Sequence, residues 1–139
     1  MISPDEARQL ILDNTETLPF EQLSLHEALG RYLAKSVFAP YDHPFFDQSA
    51  MDGYAVRWQD LEKFETLLVS GEIPAGKTDL PELKVGEALR IYTGAAVPNS
   101  ADTIVIQEYT ERIGNQLKVL KQPLLAANIR RQAEQIKKG

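Results

Sequence analysis

The chain has 139 residues, 43% of them hydrophobic and 25% charged, a balance that excludes disordered and fibrous classes and suits one ordinary domain or two small lobes. A formal net charge of -5 argues against nucleic acid as the main partner, and the lack of cysteine removes disulfides, thiolate metal sites and cysteine nucleophiles. The charged start, Pro4-Asp5-Glu6-Ala7-Arg8, and the lack of any apolar run near twenty residues lead us to expect a soluble, cytoplasmic protein with no membrane partner.

Ser3-Pro4-Asp5-Glu6 joins an N-cap hydroxyl, a proline at the first helical position and a glutamate that can reach back, so a helix is predicted from Pro4, with Ala7, Leu10 and Ile11 on one face. Ser24-Leu25-His26-Glu27 repeats the pattern and predicts a short second helix stopped by Gly30. Tyr32 to Val37 can extend, and Pro40 and Pro44 bar a helix from the segment that follows.

That segment, Pro44-Phe45-Phe46-Asp47-Gln48-Ser49-Ala50-Met51-Asp52-Gly53-Tyr54-Ala55-Val56, sets carboxylates, a hydroxyl and a glycine among apolar anchors. Phe45, Phe46, Met51 and Tyr54 can hold such a loop against a core so that Asp52 is presented reproducibly, whereas an isolated Asp-Gly pair is commonly only a turn. Asp42, Asp47 and Asp52 recur every five residues, which matches neither a helical nor a strand face, so they are expected to point in different directions.

Further along, Thr66 to Ser70 reads as a strand, Gly71 to Gly76 as its turn-rich sequel, and Ala88 to Tyr92 as a second strand ending at Thr93-Gly94. Thr103 to Gln107 is apolar on both faces, the pattern of a central strand. Glu108 to Arg112 and Gln116 to Leu120 flank Gly114-Asn115, a two-residue hairpin with glycine at the first turn position, and Glu108 reads as a surface charge of that hairpin. The fold class is α+β: a helical and extended segment over residues 1–45 and a strand-rich lobe with long Gly/Pro loops over residues 46–139.

No phosphate-cradling Gly-x-x-x-x-Gly-Lys or Gly-x-Gly-x-x-Gly pattern is present, and His26 and His43 lack ligand spacing. The Thr93 hydroxyl with the Gly94 amide can bind an anion, and Arg130 offers a planar donor fork to phosphate or another oxyanion. Tyr54 and Trp58 read as core or interface anchors, because no basic residues interleave with the aromatics as a single-strand binder requires.

Taken in order, Phe46 to Val56, Gly71 to Gly76, Arg90 to Ala95 with Val97-Pro98, Ala101 to Val105 with Glu108, and Asn128-Ile129-Arg130 resemble the N-terminal region of the molybdopterin molybdenumtransferase family of bacterial MoeA proteins and the gephyrin E domain. The resemblance spans nearly the whole chain. It implies an enzyme that inserts molybdenum from molybdate into adenylylated molybdopterin, releases AMP and is assisted by Mg2+. It also implies an elongated homodimer in which this region forms one wall of a cleft completed by the partner subunit.

On that pattern Asp52 is the catalytic carboxylate that positions the metal ion or molybdate, Ser49 and Gly53 shape its loop, and Thr93 and Arg130 contact anionic substrate groups. Where the family continues with Gly-Glu-Asp, this chain has Ala133-Glu134-Gln135, which removes a carboxylate at Gln135. The chain also ends before the family's pterin-binding domain and C-terminal β-barrel, so the resemblance implies that this stretch alone does not complete the reaction. The alternative is a non-catalytic dimerisation or scaffolding module of the same architecture.

Overall fold

The structure is a computed structural model that describes residues 2–139. It divides into two compact units, residues 1–37 and 38–139, and the division falls inside the segment 1–45 set apart above.

The first unit holds helix α1, Pro4–Asp13. Its start follows the expected capping box: the Glu6 amide donates to Ser3 Oγ at 3.2 Å and the Ser3 amide to Glu6 Oε2 at 2.7 Å, which satisfies two donors a helix end leaves free. Asn14 ends it, donating from Nδ2 to the Leu10 carbonyl. The second predicted helix is only a turn. The Glu27 and Ala28 amides do reach the Ser24 carbonyl, and Ser24 Oγ donates to Glu27, but Gly30 enters the left-handed region at φ 78 before a further turn can form. Tyr32 to Val37 joins no strand.

The second unit is built on a six-stranded sheet in the order β5-β2-β4-β3-β7-β6. Its strands are β2 Gly53–Val56, β3 Thr66–Ile73, β4 Glu87–Ile91, β5 Thr103–Ile106, β6 Thr110–Ile113 and β7 Gln116–Val119. A separate two-stranded pair joins β1 Gln48–Ser49 to β8 Ile129–Arg130. Every pairing is antiparallel except β3 with β4. The β6–β7 hairpin turns through Gly114 at φ 61, as its sequence requires.

Apolar side chains fill both faces of the sheet. Ala55, Ile73, Leu89, Ile91 and Ile104 form one cluster, and Tyr54, Val56, Leu67, Val69, Ala88, Val105 and Leu117 the other. Strand β3 serves both, because a bulge at Ser70 adds a residue between Val69 and Gly71. Side-chain direction alternates along a strand, so the extra residue carries Ile73 across to the opposite face from Leu67 and Val69. The expected turn at Gly71 is thus the last part of a bulged strand.

Strand β5 is buried over its first three residues and apolar from Ile104 to Ile106, but it lies at the hydrogen-bonding edge of the sheet rather than in its centre. The residues that seal its outer side come from far along the chain: the Ile104 amide donates to the Ala127 carbonyl at 3.1 Å, and Asn128 Nδ2 donates to the Ile104 carbonyl at 2.9 Å. A covered edge needs no protective charges, which is why its pattern mimics a central strand.

The short helix α2, Trp58–Lys63, carries a fully buried carboxylate, Asp60. Arg57 Nε and Nη2 donate to Asp60 Oδ2 at 2.9 and 2.7 Å, and the Gly86 amide adds a third bond at 2.9 Å. Asp60 Oδ1 is buried with no partner among the described residues, so the bonds at Oδ2 must offset the burial of both oxygens. Asp60 thereby fastens α2 to the turn that enters β4.

Gly53, at the start of β2, is buried against β5. A Cβ there would penetrate the Val105 carbonyl oxygen and lie 2.9 Å from its carbon, and both atoms are backbone. Gly53→Ala is therefore expected to lower unfolding free energy by more than about 4 kcal/mol, read from urea denaturation followed by Trp58 fluorescence.

Candidate functional site

Three strand ends meet at the turn from β1 into β2. Ser49 is held on two sides, its amide donating to the Ala95 carbonyl and its carbonyl accepting from the Gly94 amide, each at 2.9 Å, while β8 pairs alongside with Ser49 opposite Ile129. Its hydroxyl turns inward to donate to the Met51 carbonyl at 2.6 Å, and only 1% of the residue is exposed. Ser49 thus shapes the loop, and so does the close approach at Gly53.

Asp52, at the tip of the turn, is exposed and tightly held. Its Oδ1 accepts from the Thr93 amide at 2.8 Å and the Thr93 hydroxyl at 2.7 Å, and its backbone carbonyl accepts from the Gln107 amide at 3.1 Å. Among the described residues no hydrogen bond reaches Oδ2, which leaves one carboxylate oxygen facing outward. The Thr93 amide, then the Thr93 hydroxyl, and beyond them the Arg90 charge hold this carboxyl below the usual aspartate range. The anion cradle expected at Thr93-Gly94 is occupied from within, since both Thr93 donors go to Asp52 and the Gly94 amide goes to Ser49.

Arg130 is exposed on β8, opposite Gln48 in β1, and makes no hydrogen bond to Asp52. Asn128 reaches the start of this strand through the left-handed region at φ 61 and bonds back to β5, which accounts for an asparagine at that position. Ala133, also left-handed at φ 60, sits where the family pattern has glycine, and the Gln135 amide donates to the His43 carbonyl.

The three aspartates do not converge on one site: Asp52 is held by Thr93, while Asp42 and Asp47 both engage the segment around Gln132. Asp42 accepts from the Gln132 side chain and the Lys138 amide, and Asp47 from Arg131 and the Gln132 amide. Partial burial raises the Asp47 carboxyl, but the Gln132 amide and Arg131 outweigh it and the net shift is downward. A cleft of about 460 Å³ opens beside Asp47, between Phe46, Val97, Pro98, Arg131 and Gln132, and Asp52 does not line it. Among the described residues no group of three or more His, Asp or Glu side chains gathers to hold a metal ion.

Sequence reasoning passed over Arg90. It lies in β4 directly opposite Tyr54 of β2 and Glu72 of β3, two residues before Tyr92 on the same strand face. Its guanidinium carbon sits 5.2 and 5.0 Å from the Tyr54 and Tyr92 ring centroids. The signal was present in the spacing Arg90-Ile91-Tyr92, which puts the cation and the ring side by side on one face of a strand.

Fold and site together define an α+β module that presents one clamped, outward-facing carboxylate from a loop between sheet strands. A family model of the MoeA N-terminal region (domain I and II) matches residues 2–139. Molybdopterin molybdenumtransferase of Haemophilus influenzae is 40% identical over 144 residues, covering all of this chain and 35% of its own length. The Nostoc sp. protein of the same name is 44% identical over 108 residues, covering 74% of this chain and 25% of its own. A crystal structure of the molybdopterin biosynthesis moeA protein from Pyrococcus horikoshii superposes with a TM-score of 0.83 at 35% identity, over 97% of this chain and 37% of that one. The chain belongs to the MoeA family, as its N-terminal region, and spans about a third of the length of the curated relatives. No helix among the described residues is long and apolar enough to cross a membrane.

The Asp52 clamp makes a direct forecast. A carboxyl whose folded pKa is depressed contributes stability above its unfolded pKa and loses that contribution as pH falls through the folded value. A carboxyl-carbon NMR titration is expected to find Asp52 below the ordinary range, and Thr93→Val, which deletes the hydroxyl but keeps the amide, should move its midpoint upward.

Proposed function

We propose that this chain is the N-terminal part of an enzyme of molybdenum cofactor biosynthesis that inserts molybdenum from molybdate into adenylylated molybdopterin and releases AMP. The observation that carries the reading is the Asp52 carboxylate, with Oδ1 clamped by Thr93 and Oδ2 left open on an exposed loop. The names of the relatives that match the whole chain support the same reading.

A carboxylate kept ionised and rigid suits a hard divalent cation such as Mg2+, which commonly takes one or two protein carboxylates and completes its shell with water and substrate phosphate oxygens. Asp52 Oδ2 fits as one such ligand. The cation, when bound, would neutralise charge on the AMP-linked phosphate as it leaves. Ser49 and Gly53 fix the loop, Thr93 holds the carboxylate at the border of the anionic substrate groups, and the exposed Arg130 offers a planar cation to molybdate or phosphate.

The substrate cleft would be completed by a second copy in a homodimer. Support comes from the first unit, where Leu18, Phe20, Leu25, Leu29, Tyr32 and Leu33 are all exposed and no residue of α1 is buried. That much apolar surface on 37 residues fits a segment that packs on a partner.

Two experiments test this. Residues 1–139 joined to the remaining length of the Haemophilus influenzae relative should insert molybdenum and release AMP, and Asp52→Asn should slow the reaction by about 100-fold or more while leaving the assembly intact. An unchanged rate would remove Asp52 from the chemistry. Light scattering of the joined protein should return the mass of a dimer, and paired Phe20→Ser and Leu29→Ser substitutions should shift it to monomer; a dimer unaffected by them would move the interface elsewhere.

A further inference from the structure

The most heavily engaged cation in the second unit has no role in the reading above. Arg90 Nη1 donates to the Gly53 carbonyl at 3.2 Å and Nη2 to Gln107 Oε1 at 2.6 Å, with the guanidinium packed by the rings of Tyr54 and Tyr92. Gln107 in turn donates its amide to the Asp52 carbonyl, and Gly53 is the residue next to Asp52. The two ends of one planar fork therefore grip the backbone after Asp52 and the residue that anchors its carbonyl.

We propose that Arg90 is a positioning residue for Asp52: its fork, kept in plane by two tyrosine rings, fixes the β1–β2 turn so that the Asp52 carboxylate stays seated on Thr93. The inference concerns the geometry of the turn, and its catalytic consequence rests on the function proposed above. Three features of the sheet make the arrangement possible. Tyr54 lies across from Arg90 in the β2–β4 register, Tyr92 continues the same face of β4, and the Ser70 bulge swings Glu72 onto that face, where Tyr92 Oη comes within 3.4 Å of Glu72 Oε2.

The fork matters as much as the charge. A lysine at this position would keep the positive charge and pack against tyrosine, but its ammonium has one nitrogen and lacks the two separate, rigidly spaced nitrogens with which Arg90 reaches Gly53 and Gln107. Position and charge therefore separate by substitution.

The test uses Arg90→Lys, Arg90→Gln and Gln107→Ala. In the 139-residue chain the Thr93 amide, which donates to Asp52, serves as an NMR reporter through its chemical shift and hydrogen-exchange protection, with the melting temperature followed alongside. Both Arg90 variants are expected to shift the Thr93 amide upfield and lose protection there, and Gln107→Ala to do so to a smaller extent. In the joined protein kcat should fall about 10- to 100-fold for Arg90→Lys with KM little changed, because a displaced but intact carboxylate still binds substrate and no longer meets the reacting groups in register.

An Arg90→Lys protein with the wild-type Thr93 signal and wild-type kcat would overturn the proposal, leaving Arg90 as a charge alone. If the Arg90 variants unfold, Gln107→Ala decides, and an unmoved Thr93 amide in that variant overturns it equally. The outcomes also separate this inference from the reading of the reaction. A Thr93 signal that moves while Asp52→Asn leaves molybdenum insertion unchanged would uphold the positioning and remove the catalytic role.

Discussion

Close backbone contact at Gly53 is the constraint from which the second unit follows. With no side chain there, β2 can lie against the Val105 carbonyl and be paired along its length with β5 on one side and β4 on the other. That placement buries all four residues of β2 between β5 and β4. Asp52 precedes the contact by one residue, so the tolerance that seats β2 also decides where the carboxylate emerges.

From that point the site is a matter of electrostatics arranged by backbone. A carboxylate on an exposed turn would ordinarily sample many rotamers and titrate in the usual range. Here two donors from one residue take one oxygen and leave the other open, so the group is both immobilised and kept ionised. Arg90 reinforces both effects, since its charge favours the ionised form and its fork restrains the neighbouring backbone. A carboxylate with a fixed direction and an unused oxygen is the simplest device by which a loop can meet a cation or an oxyanion's counter-ion.

The two units differ in how far they are internally satisfied. The second has two apolar clusters and a partly buried ion pair, Arg57 with the buried Asp60, that ties its short helix to the sheet. The first has a capped helix and little burial, with its apolar residues facing outward. Helix caps satisfy hydrogen bonds but supply no hydrophobic stabilisation, so α1 draws its order from local bonding and would draw its stability from whatever covers it.

Local chemistry was legible in the residues themselves. The Ser3–Glu6 capping box, the Gly114-Asn115 hairpin, the strands near 66 and 88 and the α+β class follow from short-range patterns, because caps, turns and alternation act over a few positions, while the family was legible as a resemblance of motifs taken in order along the chain. The Asp52 loop also stood out by its unusual mixture of residue types. Tertiary structure alone decided what depends on distant partners: the Thr93 clamp reaches across 41 positions, the seal on β5 comes from Ala127 and Asn128, and the Ser70 bulge switches the face of β3 through its register with β4. The Ser24 turn failed to become a helix because a cap without a buried face cannot offset the cost of nucleation. Arg90, Gln107 and Asp60 stayed hidden for the same physical reason, since a side chain's role is set by the atoms that surround it and those atoms arrive from other strands.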